Sequence, residues 1–196
     1  INNHYYILQM SNFFKETDID TSQAEAIVTE TLKNCDDGEL YLENHKSESI
    51  VLDDNKIKSS TYNSDQGYGF RAVTGEVVAY SHSNDISKES LRKSSDNLKD
   101  TLKSKKGTYN HEIPKTNSKY YENINPIESK TFDSKIDLLK SVNNYLRSKG
   151  SIVNQVTANF LGEHKSIEII RSDNQILKDD RPLVRFNVSV VLEKDG

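Results

Sequence analysis

The sequence predicts an α+β domain made of two related helix-plus-antiparallel-meander units. Three observations predict it. Amphipathic helical stretches recur between runs of strand-like alternation. Short turn signals rich in Asp, Asn and Gly separate those runs. One hairpin segment also occurs twice. His45-Lys46-Ser47-Glu48-Ser49-Ile50-Val51 matches His164-Lys165-Ser166-Ile167-Glu168-Ile169-Ile170, and the match continues without a gap from Asp54-Asn55-Lys56-Ile57 to Asp173-Asn174-Gln175-Ile176. Each copy follows a helix and a strand and leads to a strand with an arginine amid apolar residues, Arg71 and Arg185. Chance similarity of a polar hairpin is the alternative; the shared order of the surroundings argues against it. The units are expected at 1–103 and 133–196, joined by an irregular connection over 104–132.

The first helix starts at a capping-box pair, Ser22 and Glu25. Ala24, Ile27, Val28, Thr31 and Leu32 then share one face, and the helix stops near Asn34 before the turn cluster Asp36-Asp37-Gly38. A meander follows. Leu40 and Leu42 alternate with polar neighbours, 49–52 reads as a short strand, and Asp53-Asp54-Asn55-Lys56 reads as a hairpin loop, since Asp and Asn tolerate left-handed backbone. Thr74-Gly75-Glu76 signals a second turn before a strand at 77–80. Ile86, Leu91, Leu98 and Leu102 mark a second helix, capped by Asp85 or Ser87. Pattern is lost from Ser104 to Lys130, a stretch holding Pro114 and Pro126. A third helix carries Ile136, Leu139, Val142, Tyr145 and Leu146, with Gly150 expected as its terminating residue at positive φ. Two alternating strands close the chain. Ile152, Asn154, Val156, Ala158 and Phe160 share one face of the first. Val184, Phe186, Val188, Val190 and Leu192 share one face of the last, which reads as half-buried.

Composition narrows the function classes. Of 196 residues, 34% are hydrophobic and 29% charged, with a net charge of −4, which is a globular balance with no basic stripe of the kind nucleic-acid binders carry. No apolar run approaches the roughly 18 residues of a membrane span. No signal peptide is visible, and the single cysteine, Cys35, fits a reducing, cytoplasmic setting. The acidic neighbours Asp36 and Asp37 would raise its thiol pKa, so it is not expected to be catalytic. The chain reads as a fragment of a longer protein.

Candidate chemistry is sparse. None of His4, His45, His82, His111 and His164 pairs with another at the i, i+4 spacing that holds zinc on a helix. His45 and His164 occupy equivalent repeat positions and are expected to share a structural hydrogen-bonding role. There is no Gly-x-Ser-x-Gly elbow. Gly67-Tyr68-Gly69 lacks the third glycine and following helix of a phosphate loop. Glycines beside a strand instead permit a bulge or the close approach of another backbone. A functional version of that reading makes this an edge strand to which a peptide substrate adds by main-chain hydrogen bonds, with Gln66, Gly67, Gly69 and Arg71 as the contact residues. No catalytic or metal-binding residue is assigned.

Several of these segments resemble the TldD/PmbA family. Asp37-Gly38-Glu39-Leu40-Tyr41-Leu42-Glu43, the hairpin from Val51 to Ser59, Asp65-Gln66-Gly67-Tyr68-Gly69-Phe70-Arg71-Ala72-Val73-Thr74-Gly75-Glu76, and Arg181-Pro182-Leu183-Val184-Arg185-Phe186-Asn187-Val188-Ser189-Val190 look like its N-terminal-domain motifs, in order, over about 20–196. The stretch around 104–130 matches poorly. The segments at Asp65 and Arg181 favour TldD over its paralogue TldE (PmbA), whose noncatalytic, binding role is the alternative. The resemblance implies a cytosolic zinc metalloprotease that cuts unfolded or extended peptides as a heterodimer with a TldE/PmbA-type subunit. It also implies a His-Glu-x-x-x-His helix and a distant Cys as zinc ligands. None of these ligands has a matching position here, so this fragment is expected to bind no zinc and to be inactive alone. The family was also once described as a modulator of DNA gyrase. A stand-alone interaction module is a third reading.

Overall fold

A computed structural model describes residues 13–103, 106–108, 122–172 and 175–196. The element order is α1 (Thr21–Leu32), β1 (Asp37–Asp53), β2 (Lys56–Thr74), β3 (Val77–Ser83), α2 (Lys88–Thr101), α3 (Phe132–Arg147), β4 (Val153–Ile170) and β5 (Ile176–Leu192). The strands hydrogen-bond in the order β3-β2-β1-β4-β5. Mixed helix and antiparallel sheet is the class expected. The strands are longer than their sequence signals. Burial alternates at both ends of β1, but 43–49 forms a half-exposed middle with no buried residue except Glu48, and that polar stretch hid the strand's continuity.

The turns are where sequence and structure agree best. Asp54 and Asn55 take φ of 47° and 65°, the pair of positive values that a two-residue hairpin between β1 and β2 needs. Gly75, at φ 57°, turns β2 into β3. β2 and β3 then pair antiparallel from Tyr68↔Ser83 to Thr74↔Val77. At the second copy of the segment β4 is followed by β5, and the Arg171 amide donates to the Gln175 carbonyl at 3.0 Å. Asp173 and Asn174, on which its sequence match partly rests, lie outside the described residues, as do His4, His111 and Pro114.

The chain contacts divide into two compact units. The first gathers described residues of 13–44, 65–122 and 166–179; the second gathers 45–64, 123–165 and 180–196. They interleave along the chain, so compactness draws its boundaries elsewhere than the 1–103 and 133–196 division read from the repeat.

In the first unit α1 and α2 bury one face each. Ala24, Val28 and Leu32 from α1, Leu91 and Leu98 from α2, and Leu40, Leu42, Tyr68, Phe70, Ala72 and Ala79 from the strands form one apolar cluster. The α1 cap differs from expectation. Asp20, not Ser22, is the N-cap, and its partner is Gln23, not Glu25. The Gln23 amide donates to Asp20 Oδ1 at 2.8 Å, and Ser22 Oγ donates to the same oxygen at 2.7 Å. Ser87 caps α2, as one of the two expected candidates.

In the second unit α3 buries Ile136 and Leu139 against Ile50, Leu52, Ala158 and Phe160. Three expectations fail here. Tyr145 is 60% exposed, and the fourth inward position of α3 is Asn143. Gly150 has no positive φ; α3 ends at Arg147 with Ser148 as a right-handed cap, and its terminal carbonyls are met by the Ser148 amide. The apolar row of β5 is not half-buried: Val184, Phe186, Val188, Val190 and Leu192 are all exposed. Alternation identifies a face but not whether anything covers it.

Candidate functional site

The segment Gln66–Arg71 lies within β2, with β3 on one side and β1 on the other. It is therefore an interior strand rather than the edge expected, and its main chain from Tyr68 onward is engaged with β3. A local apolar–glycine pattern cannot distinguish the two, because edge status depends on which later strand pairs where.

The glycines permit close approach. A Cβ on Gly67 would stand 2.8 Å from the Ser83 carbonyl oxygen and 3.1 Å from Asn84 Oδ1, where β3 leaves the sheet. A Cβ on Gly69 would meet Tyr80 Oη at 2.5 Å. Tyr80 lies across this glycine and stacks on His82, with ring centroids 5.8 Å apart. Gly69 is buried, Gly67 half-buried and Gln66 exposed. Between the glycines, Tyr68 points into the core and shares its hydroxyl with Ser90 and Ser94 of α2, each at 2.8 Å.

Arg71 is held to β1. Its Nε donates to Glu39 Oε1 and its Nη2 to Glu39 Oε2, both at 2.7 Å, a bidentate pair; Nη2 also donates to Asp37 Oδ2 at 2.6 Å. Arg171, just past β4, donates from Nη2 to Asp37 Oδ1 at 2.9 Å. Two cations thus meet two carboxylates across β1, β2 and the end of β4. Strand alternation puts Asp37 and Glu39 on the opposite face of β1 from buried Leu40 and Leu42. The Glu39 hydrogen bonds, with those of Asp37, raise the Arg71 guanidinium above its ordinary value against partial burial. Burial pushes the Asp37 carboxyl up, but the Arg71 hydrogen bond and charge, the Gly38 amide and Arg171 outweigh it and hold it below the usual range. Gly38 lets the strands close on this network, since a Cβ there would stand 2.6 Å from the Arg71 carbonyl oxygen. Sequence reasoning found Arg71 but not Asp37, Glu39 or Arg171 as its partners. The only available signal was opposite charge on segments whose register it did not derive.

The other candidates are structural. Cys35 is buried, with Sγ 3.7 Å from the Thr31 carbonyl, and burial pushes its thiol pKa up, which disfavours the nucleophilic thiolate. His164 Nε2 lies 3.1 Å from Asn123 Oδ1, and burial lowers its pKa. His45 faces Glu163 at 3.6 Å, beyond hydrogen-bonding distance, so the two repeat histidines do not play identical roles. Among the described residues no three His, Cys, Asp or Glu side chains converge on a point that one metal ion could occupy. No chemical step is assigned through the zinc that the resemblance implies. Among those residues no helix is long and apolar enough to cross a membrane.

Comparison with known proteins shows the family and the fold. Residues 38–103 match a domain described as PmbA/TldA metallopeptidase domain 1, and residues 125–196 match the PmbA/TldA metallopeptidase central domain. The chain belongs to the PmbA/TldD family. It is 34% identical over 165 residues to a protein from Buchnera aphidicola subsp. Acyrthosiphon pisum named metalloprotease TldD homolog, covering 84% of this chain and 34% of that one. A protein of the same name from Haemophilus influenzae is 32% identical over 170 residues, covering 84% and 35%. The chain thus spans about a third of the length of these relatives. Two solved structures share the fold. One, from Bacteroides thetaiotaomicron, is named a candidate modulator of DNA gyrase; its TM-score is 0.68 at 14% identity, over 91% of this chain and 42% of that one. The other is TldE from Thermococcus kodakarensis, with a TM-score of 0.61 at 13% identity, over 88% and 40%.

Proposed function

We propose that this chain is the scaffold portion of a TldD-type zinc metallopeptidase. It shapes the cavity in which extended peptides are hydrolysed, while the metal and its ligands come from polypeptide outside these 196 residues. The observation that carries the reading is the 34% identity, over most of the chain, to proteins named metalloprotease TldD homolog. That favours TldD over the noncatalytic TldE-type alternative, for which the Thermococcus structure offers a shared fold at 13% identity. A TldE/PmbA-type subunit is the proposed partner, and the cytoplasm the proposed location.

Within this reading the four expected contact residues divide. Gln66 is the one proposed to meet a peptide, which its exposure at the start of the glycine segment supports. Gly67, Gly69 and Arg71 act by fixing β2 between its neighbours, so their contribution is to hold the sheet in shape.

The test is peptide cleavage and bound zinc in a polypeptide of the relatives' length that contains this sequence, mixed with a TldE-type subunit and compared with this chain alone. Zinc-dependent cleavage of an unstructured peptide only in the longer assembly is expected. Tight zinc binding by the 196 residues alone would refute the division of labour. A longer polypeptide with neither zinc nor cleavage would move the assignment to the noncatalytic subunit.

A further inference from the structure

In the second compact unit, β5 ends the strand order and is exposed over nearly its whole length. Its residues 184, 186, 188, 190 and 192 form an unbroken apolar row with exposures from 37% to 60%. His164 on β4 and Asp180 on β5 both reach Asn123, so even-numbered residues of the two strands share a face there. Alternation carries that face along both strands. On β4 it holds Val156, Ala158 and Phe160, which are buried, the last two packed with Ile136 and Leu139 of α3. On β5 it holds the open row. One apolar face is thus covered over β4 and bare over β5. Long, flat, apolar edge strands are a liability that proteins cover or blunt, and a contiguous patch of this kind marks an interface. β5 carries blunting devices, Pro182 and the charged residues 178–181, but they precede the row, and Arg185 alternates onto the other face.

We infer that this row is the seat of the family's remaining domain, which supplies an apolar segment laid on β5 beside α3. Two observations choose that occupant. The matched segment containing the row is described as the family's central domain, which implies sequence beyond it in a complete member. The chain also covers only 34% of a relative's length, so ample polypeptide is available to provide the cover. This rests on the TldD reading only for family membership and does not require that the assembly cleave peptides.

Maleimide labelling of Val188→Cys tests it, in this chain alone and in the same sequence within a polypeptide of the relatives' length. Lys56→Cys in the exposed β1–β2 hairpin serves as an accessible control, and the buried native Cys35 reports unfolding. The expected result is fast labelling at 188 in the isolated chain and labelling about tenfold or more slower in the longer polypeptide, with position 56 unchanged. Equal rates at 188 in both would overturn the inference. Slow labelling of the isolated chain that depends on its concentration would mean that a second copy covers the row. Protection that appears only when a TldE-type subunit is added would mean that the partner does. Either would overturn the assignment to the remaining domain. Because labelling reads burial alone, it separates failure of this inference from loss of peptidase activity.

Discussion

The two compact units solve the same problem, one helix layer on antiparallel strands, to different degrees of completion. The first sandwiches residues of both α1 and α2 against four strand segments, and its cluster draws on Phe13, Phe14 and Ile19 as well. The second has α3 alone over Ile50, Leu52, Ala158 and Phe160, and leaves the β5 row bare. Their charges differ in the same sense. The first unit holds the half-exposed Arg71–Asp37–Glu39–Arg171 network and also a buried carboxylate, Glu168 at 1% exposure, met by the half-exposed Lys178 at 2.9 Å. The second buries both members of a pair, Lys135 with Glu48, at 5% and 8% residue exposure, with Lys135 also donating to the Ile127 carbonyl at 2.6 Å. A small core in which both members of an ion pair are buried depends more on each contact than a large core whose buried carboxylate meets a half-exposed lysine.

Breaking the buried pair should therefore have the largest effect. Lys135→Ala leaves the Glu48 carboxylate buried without its cation and is expected to cost about 3–5 kcal/mol, while Lys135→Met with Glu48→Leu should recover most of that loss. Urea unfolding of the three proteins measures it. A Lys135→Ala midpoint matching the parent would show that water reaches Glu48 and would remove the contrast between the units.

Gly67→Val should come next, at about 1–3 kcal/mol, because the new side chain meets backbone at the Ser83 carbonyl. Gly69→Ala should cost less, since the obstacle there is the tip of the exposed Tyr80 side chain, which can swing away. Equal losses at the two positions would show that backbone approach is not what Gly67 provides.

The smallest effect is the pH dependence of the first unit's network. Asp37 has a folded pKa below its unfolded value, so its contribution is complete above the unfolded carboxylate range, about pH 4, and is lost as pH falls through the folded value. The stability difference between the parent and Asp37→Asn should be constant near neutrality and shrink in acid. A difference that grows in acid would contradict the assigned direction.

Legibility followed the range of the interactions. The hairpin at Asp54-Asn55 and the turn at Gly75 were readable because one or two residues fix a local backbone state. The helix faces of α1 and α2 were readable because apolar spacing repeats every turn. The cap of α1 slipped by two residues because Asp20 and Ser22 are both capable caps with an acid or amide three residues on, and only geometry chooses Asp20. What depended on distant partners was not readable. Whether β2 is an edge, whether β5 is covered, and which carboxylates hold Arg71 are all properties of register between segments far apart in the chain. The candidate contact residues all lie on β2, and close packing of the two glycines against β3 was foreseen for glycines in general but not tied to Ser83 and Tyr80.

The most direct measurement of the scaffold assignment is complementation. The remainder of a relative-length polypeptide would be prepared without these 196 residues, and cleavage of an unstructured peptide followed with a TldE-type subunit before and after this chain is added. The account predicts little cleavage by the remainder alone and zinc-dependent cleavage when the chain is restored. Cleavage by the remainder that is as fast without this chain as with it would contradict the claim that these residues shape the peptide cavity.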